Sequence, residues 1–246
     1  MRKIDKDTKG KRDKNYNDWA RKRPAYLFLT ILVVLAAAMG INACMTTTEW
    51  GVALIYLLSL STISTALFFL LRLILRDISK IYPEKIIFCD RLNPMIRILY
   101  VNDATYTEEH RSEIREKIKS KKKIDLQKYK NKTHKNKNYA KRVNEAVPWL
   151  LDVTRFDDIL FEFNCFYGFW RNLTGALLVD SLLVFVLVAV NKWLYALPFG
   201  NNLIWIGCAL FLLTIFATLH AYKNGRIFAK RVYDVFMNLD DDNDNY

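Results

Sequence analysis

Apolar residues run almost unbroken over residues 25–44, 51–75, 174–190 and 203–221. Each run is close to the roughly 20 residues that a helix rising about 1.5 Å per residue needs to cross hydrocarbon. The first, AYLFLTILVVLAAAMGINAC, contains no charge, and the second, GVALIYLLSLSTISTALFFLLRLIL, has none before Arg72. The third, LTGALLVDSLLVFVLVAV, is interrupted only by Asp180, and the fourth, LIWIGCALFLLTIFATLHAY, carries no full charge. An average of 52% hydrophobic and 25% charged residues would suit a soluble domain, but here the charge lies almost wholly outside the runs. A cleaved signal peptide fits the first run poorly, because the run follows a 24-residue basic tail and exceeds a normal signal core.

Orientation follows from the flanking Lys and Arg. The tail before the first run holds ten basic against four acidic residues, an excess that cytoplasmic segments retain. The turn MTTTEW has no basic residue and NKWLYALPFGN has only Lys192, so both are expected to face outward, with Trp50, Trp193 and Tyr195 in the interfacial belt. The expected fold is a mainly α membrane protein with four transmembrane helices as two hairpins and a small, mostly helical cytosolic domain inserted between them. Its parts are a basic cytosolic tail (1–24), a first hairpin (25–75), an insert (76–172), a second hairpin (173–222) and a cytosolic tail with an acidic end (223–246). Both termini are then cytoplasmic.

Within the insert, Pro83 and Pro94 break the early part into short pieces, and IRILYV reads as a short strand or a buried turn. Thr107 followed by two acids starts a helix that places Ile114 and Ile118 on one face and runs to about Lys121. Val143, Ala146 and Trp149 or Leu150 recur at helical spacing, whereas Ile159, Phe161 and Phe163 alternate toward a packed interior. Trp149, Phe156, Phe161, Phe163, Phe166, Phe169 and Trp170 are expected to form an aromatic core.

From Arg111 to Arg142 there are fourteen Lys and Arg against three acids. The bland reading is a solvated basic loop; the sharper one is a surface for phosphates, from a nucleic acid, a signalling nucleotide or anionic lipid. The candidate phosphate or oligonucleotide ligands are Lys121, Lys122, Lys123, Lys128, Lys130, Lys132, Lys135, Lys137, Lys141 and Arg142. Asp157, Asp158 and Glu162 would hold a divalent cation or, more commonly, cap a helix. No Gly-rich phosphate loop, HExxH, GxSxG or Cys-His spacing is present, so no catalytic residue, metal or cofactor is expected. Cys44, Cys89, Cys165 and Cys208 are scattered as packing residues are. The NxT sites at Asn131 and Asn172 fall on the cytosolic side, where glycosylation does not occur.

A charge inside hydrocarbon costs a few kcal/mol, so Asp180 needs a partner or water. Arg72 and His220 are placed at similar depth and are the expected partners. Ser61, Ser64 and Thr65 share a face of the second run, either packing against another helix or lining a water-filled path. At the edge of the third run Tyr167 and Trp170 are expected at headgroup level, with Arg171 and Asn172 facing phosphates.

The RDxxK element (Arg76, Asp77, Lys80), the AV-x-x-L-L-D-x-T-R helix (Ala146 to Arg155) and YGFWRNLxG (Tyr167 to Gly175) together resemble a family of bacterial membrane proteins with this hairpin, insert, hairpin plan. Family members carry Arg where Trp170 stands and Trp-Gly-Leu where Leu173, Thr174 and Gly175 stand, so the resemblance is partial. The plan also resembles the channel effectors of Hailong anti-phage systems. That resemblance implies an inner-membrane homo-oligomer, expected as a tetramer, whose basic insert senses an oligonucleotide made by a partner nucleotidyltransferase and whose spans form a pore. A non-conducting anchor or scaffold that docks a cytosolic protein is the alternative. A transporter is disfavoured because the two hairpins show no inverted repeat.

Overall fold

The computed structural model describes residues 6–31, 33, 78, 94–100, 103–129, 136–190, 192–193 and 200–239. Among these the regular structure is helical, with no strand. Helix α1 (Lys6–Tyr16) passes through a π-helical turn (Asn17–Lys22) into α2 over residues 23–31. A short α3 (Pro94–Ile98), α4 (Glu108–Lys122), a 3-10 turn (Gln127–Tyr129) and α5 (Lys137–Val153) follow. Two long helices, α6 (Asp158–Val190) and α7 (Gly200–Met237), complete the chain. Both are long and apolar enough to cross a membrane. The runs at 25–44 and 51–75 lie outside the described residues except for 25–31 and 33, so the four-span layout is drawn from the sequence.

Contacts divide the chain into two compact units, one of Met1–Gly10, Glu84–Tyr167 and Tyr222–Tyr246, the other of Lys11–Pro83 and Gly168–Ala221. The first has a core in which Ile114, Ile118, Val143, Ala146 and Leu150 are all fully buried. These are the positions that the helical spacing of α4 and α5 predicts. Thr107 caps α4, accepting from the His110 N–H at 3.3 Å, and Lys123 ends it in a left-handed conformation at φ 60°. Within IRILYV, residues 96–100 are helix and turn rather than strand, and Val101 lies outside the described residues: Pro94 suits the first turn of a helix, and Leu99 and Tyr100 are buried just beyond it.

Two expectations about this unit need correction. Ile159, Phe161 and Phe163 do not alternate on a strand; they lie on α6, where Ile159 is 51% exposed. A run so short cannot by periodicity distinguish strand from helix. The aromatic core also differs, since Phe156 and Phe166 are exposed. Tyr100, Tyr139, Tyr167, Phe228, Tyr233 and Phe236 occupy the interior instead, the last three from the helical continuation of the fourth apolar run. Two of these buried phenols are hydrogen-bonded to backbone: Tyr139 Oη donates to the Leu99 carbonyl at 2.6 Å and Tyr233 Oη to the Met95 carbonyl at 2.7 Å.

In the second unit α6 and α7 run antiparallel. Leu177, Val184, Leu203, Leu210 and Ala217 form its apolar seam, and Ser181 Oγ reaches the Gly207 carbonyl at 3.4 Å. Gly207 leaves room there for the Phe185 ring, which a Cβ would approach to 2.9 Å and displace. Outside the seam Leu182, Val186, Trp205, Leu212 and Leu219 are exposed, the apolar exterior that a lipid solvent permits.

Candidate functional site

The basic segment is less uniform than its charge count suggests. Arg111 and Arg115, counted there as surface cations, are 6% and 0% exposed. Arg115 Nη1 pairs with Glu108 Oε1 at 2.7 Å and Arg111 Nε with Glu108 Oε2 at 3.0 Å. Arg115 Nη2 also donates to the Leu99 carbonyl at 3.1 Å, and Arg111 Nη1 donates to the Asp103 carbonyl. These arginines therefore fasten the loop before α4 to the core. Burial alone would raise the Glu108 pKa, but the two guanidiniums outweigh it and hold the carboxyl below its ordinary range. Lys117 and Lys119 are committed as well. Lys117 Nζ donates to the Met237 and Leu239 carbonyls at 3.0 and 2.7 Å, and Lys119 pairs with Asp125 at 3.0 Å.

What remains for a ligand lies on the ends of two helices. Lys122, Lys123 and Lys128 are exposed around the end of α4, with Lys121 half-buried, and Lys137, Lys141 and Arg142 are exposed on the first turns of α5. Lys130, Lys132 and Lys135 lie outside the described residues, as does His134. The placement is electrostatically uneven. Cations at the C-terminus of α4 complement its dipole, whereas α5 begins without an acidic residue in its first turn, so its cations add to the positive end. Arg142 pairs with Glu145 at 3.7 Å. Such a surface attracts polyanions without enclosing them.

Asp180 is fully buried on α6, and neither carboxylate oxygen has a hydrogen-bond partner among the described residues. The expected pairing with His220 is not formed. Ser181 is level with Gly207, whereas His220 is thirteen residues further along α7, about 20 Å at helical rise. His220 instead stacks on Trp170, ring centroids 4.5 Å apart, and lies 4.4 Å from Phe216. Arg72, Ser61, Ser64 and Thr65 lie outside the described residues.

The YGFWRN element proves to be a packing device on both sides. Tyr167, expected at headgroup level, is 9% exposed and stacks on Phe228 at 6.1 Å in the first unit's core. In the second unit Asn172, expected to face phosphates, is 7% exposed and donates to the Ala20 carbonyl. Gly168, one turn earlier on the same face, admits the N-terminal helix: a Cβ there would lie 2.8 Å from Ala20 Cβ and 2.9 Å from Tyr16 Oη. Trp170 and Arg171 are half-buried. Asp157 accepts from the Leu160 N–H at 2.6 Å and thus starts α6, the capping role.

Sequence reasoning missed the Glu108–Arg111–Arg115 network and the bond from Tyr106 Oη to Asp234 Oδ1 at 2.6 Å. The first had a signal, since Glu108, Arg111 and Arg115 share the helix face of Ile114 and Ile118. The second had none, because its partners are 128 residues apart. Burial, then the hydrogen bond and charge of Asp234, push the Tyr106 phenol far above its ordinary range. Comparisons with protein-family models, with curated proteins and with solved structures return no match.

Proposed function

We propose that this chain is a multimeric membrane effector that changes ion permeability when a nucleotide or oligonucleotide meets its basic cytosolic insert. The four runs would form two hairpins in a bacterial inner membrane, with both termini in the cytoplasm. The observation that carries the reading is Asp180: a fully buried carboxylate without a hydrogen-bond partner among the described residues, on a helix long and apolar enough to span. Such groups are costly and are retained where ions or protons move. A homo-oligomer, in number a tetramer by resemblance, supplies the enclosure that four spans of one copy cannot easily give. Resemblance to the Hailong channel effectors adds the setting of anti-phage defence and a partner nucleotidyltransferase. The exposed cations at the ends of α4 and α5 supply the sensing surface.

The test is ion flux from liposomes containing the purified protein, with and without a panel of short oligonucleotides. Ligand-dependent flux is expected, lost in Asp180→Ala and reduced by converting Lys122, Lys123, Lys137, Lys141 and Arg142 to Gln. Flux that is absent under every ligand, or unchanged in both variants, rejects the reading.

A non-conducting scaffold has one observation in its favour. Ile159 and Phe166, seven residues apart on one face of α6, are 51% and 52% exposed within the first unit, and Phe156 beside the helix start is 41% exposed. An apolar stripe of that kind suits a docked protein. Recovery of a soluble partner with the wild type but not with Ile159→Glu, together with silent liposomes, would favour it.

A further inference from the structure

Away from the lysine-rich surface, the first unit contains a cleft on which two arginines converge. Pro94, Arg97 and Ile98 of α3, Asp103 and Thr105 of the loop after it, and Tyr222 and Arg226 of α7 line a space of about 250 Å³, open solvent included. Arg226 Nη2 donates to Thr105 Oγ1 at 3.3 Å, and its guanidinium carbon lies 5.9 Å from the Tyr222 ring centroid. No carboxylate among the described residues pairs with it. Arg97 Nε stands 3.6 Å from Asp103 Oδ2, while Asp103 is 8% exposed and accepts from the Thr105 N–H through Oδ1 at 2.8 Å.

Asp103 thus orients Arg97 and Thr105 but offsets only one of the two positive charges. The Nη groups of Arg97 have no partner among the described residues. Two guanidinium forks with a hydroxyl donor between them match the tetrahedral oxygens of a phosphate group better than any apolar or cationic ligand. Much of the space is open to solvent, so the cleft takes only a phosphate and its ester bond, with the rest of the ligand outside.

We propose that this cleft binds one phosphate ester through Arg97, Arg226 and Thr105. The proposal stands apart from the reading of the chain as a channel, because it requires no conduction. Tyr222 closes the fourth apolar run as LIWIGCALFLLTIFATLHAY, and Arg226 stands four residues beyond it. A lipid headgroup would meet them where that helix leaves hydrocarbon, and a soluble nucleotide phosphate offers the same chemistry.

The test uses the full chain in phosphatidylcholine nanodiscs. In one arm phosphatidic acid is added to the lipid and its retention is measured by native mass spectrometry. In the other a 5′-phosphorylated trinucleotide, and the same trinucleotide without the phosphate, are titrated from solution. At least fivefold loss of binding in Arg226→Gln, with the exposed Lys14→Gln unchanged, is expected in one arm, and that arm names the source. Arg226→Lys should recover only part, since an ammonium lacks the fork. Arg97→Gln should behave like Arg226→Gln if it folds; Arg226 has no carboxylate among the described residues to strand, so its variant decides the matter alone. Equal binding by wild type and Arg226→Gln in both arms, or no preference for the phosphorylated trinucleotide and for phosphatidic acid, overturns the proposal.

Discussion

The side-chain amide of Asn172 donates to the backbone carbonyl of Ala20, and Pro24 explains why a donor is needed there. In an α-helix the Ala20 carbonyl accepts from residue 24, and proline has no N–H and crowds that carbonyl. The chain widens into the π-helical turn Asn17–Lys22 just before Pro24, and Asn172 supplies the missing hydrogen. Gly168 lets the two backbones come close enough for the bond. In YGFWRN the Gly and Asn are therefore a matched pair.

Asn172→Ala should lower stability by about 1–3 kcal/mol, the cost of leaving a buried polar group without its partner. In a Pro24→Ala background, which restores the N–H, the same substitution should cost less. Thermal unfolding of the four proteins in a double-mutant cycle gives the coupling, and additive losses would show that Pro24 does not create the need. Gly168→Ala should be destabilising as well, and Ala20→Gly should partly relieve it by removing the closest atom.

Glu108→Gln leaves Arg111 and Arg115 facing a neutral amide and should cost about 1–3 kcal/mol at pH 7. Because the native carboxyl is held below its usual range, its contribution is present above the unfolded pKa of about 4.3 and is lost as pH falls through the native one. Denaturant unfolding of both proteins should give a gap that is constant above about pH 5 and narrows below about pH 4. A gap independent of pH would mean that the pair matters only for its shape.

At the alkaline end, burial and then the neighbouring Tyr139 push the Tyr100 phenol up to about 12. Its ordinary value is about 10, so the proton is held more tightly in the native state, and stability present below pH 10 declines as pH rises toward 12. Tyr100→Phe should make the loss between these limits shallower, as followed by circular dichroism. An unchanged slope would assign the loss to other groups.

Asp180→Leu should raise the unfolding temperature in nanodiscs, corresponding to about 1–3 kcal/mol, because a buried carboxylate without a partner is replaced by an apolar side chain of similar size. A stabilised protein that no longer conducts would be the signature of a group kept for function. A fall in stability would instead reveal a partner for the carboxylate, with Arg72 the first candidate to substitute.

Much of the local structure was legible in the chain. Thr107 and the acids after it announced α4, the spacing of Val143, Ala146 and Leu150 marked the buried face of α5, and apolar length marked α6 and α7. The lysine-rich segment was legible as charge, but among the described residues Arg111, Arg115, Lys117, Lys119 and Arg142 are engaged within the fold or by a neighbouring carboxylate, and composition cannot distinguish a committed cation from a solvated one.

Periodicity, caps and hydropathy act over one or a few turns, so the sequence by itself determined a helical chain with stretches suited to lipid and a basic region. Which groups meet was decided by the tertiary structure. Asn172 finds Ala20 across 152 residues, Tyr106 finds Asp234 across 128, and Arg226 reaches Thr105 across 121. His220 fails to reach Asp180 because antiparallel packing sets it beside Trp170. Hydrogen bonds and ion pairs require heavy atoms within about 3–4 Å, a condition on spatial position that residue type and local spacing do not contain.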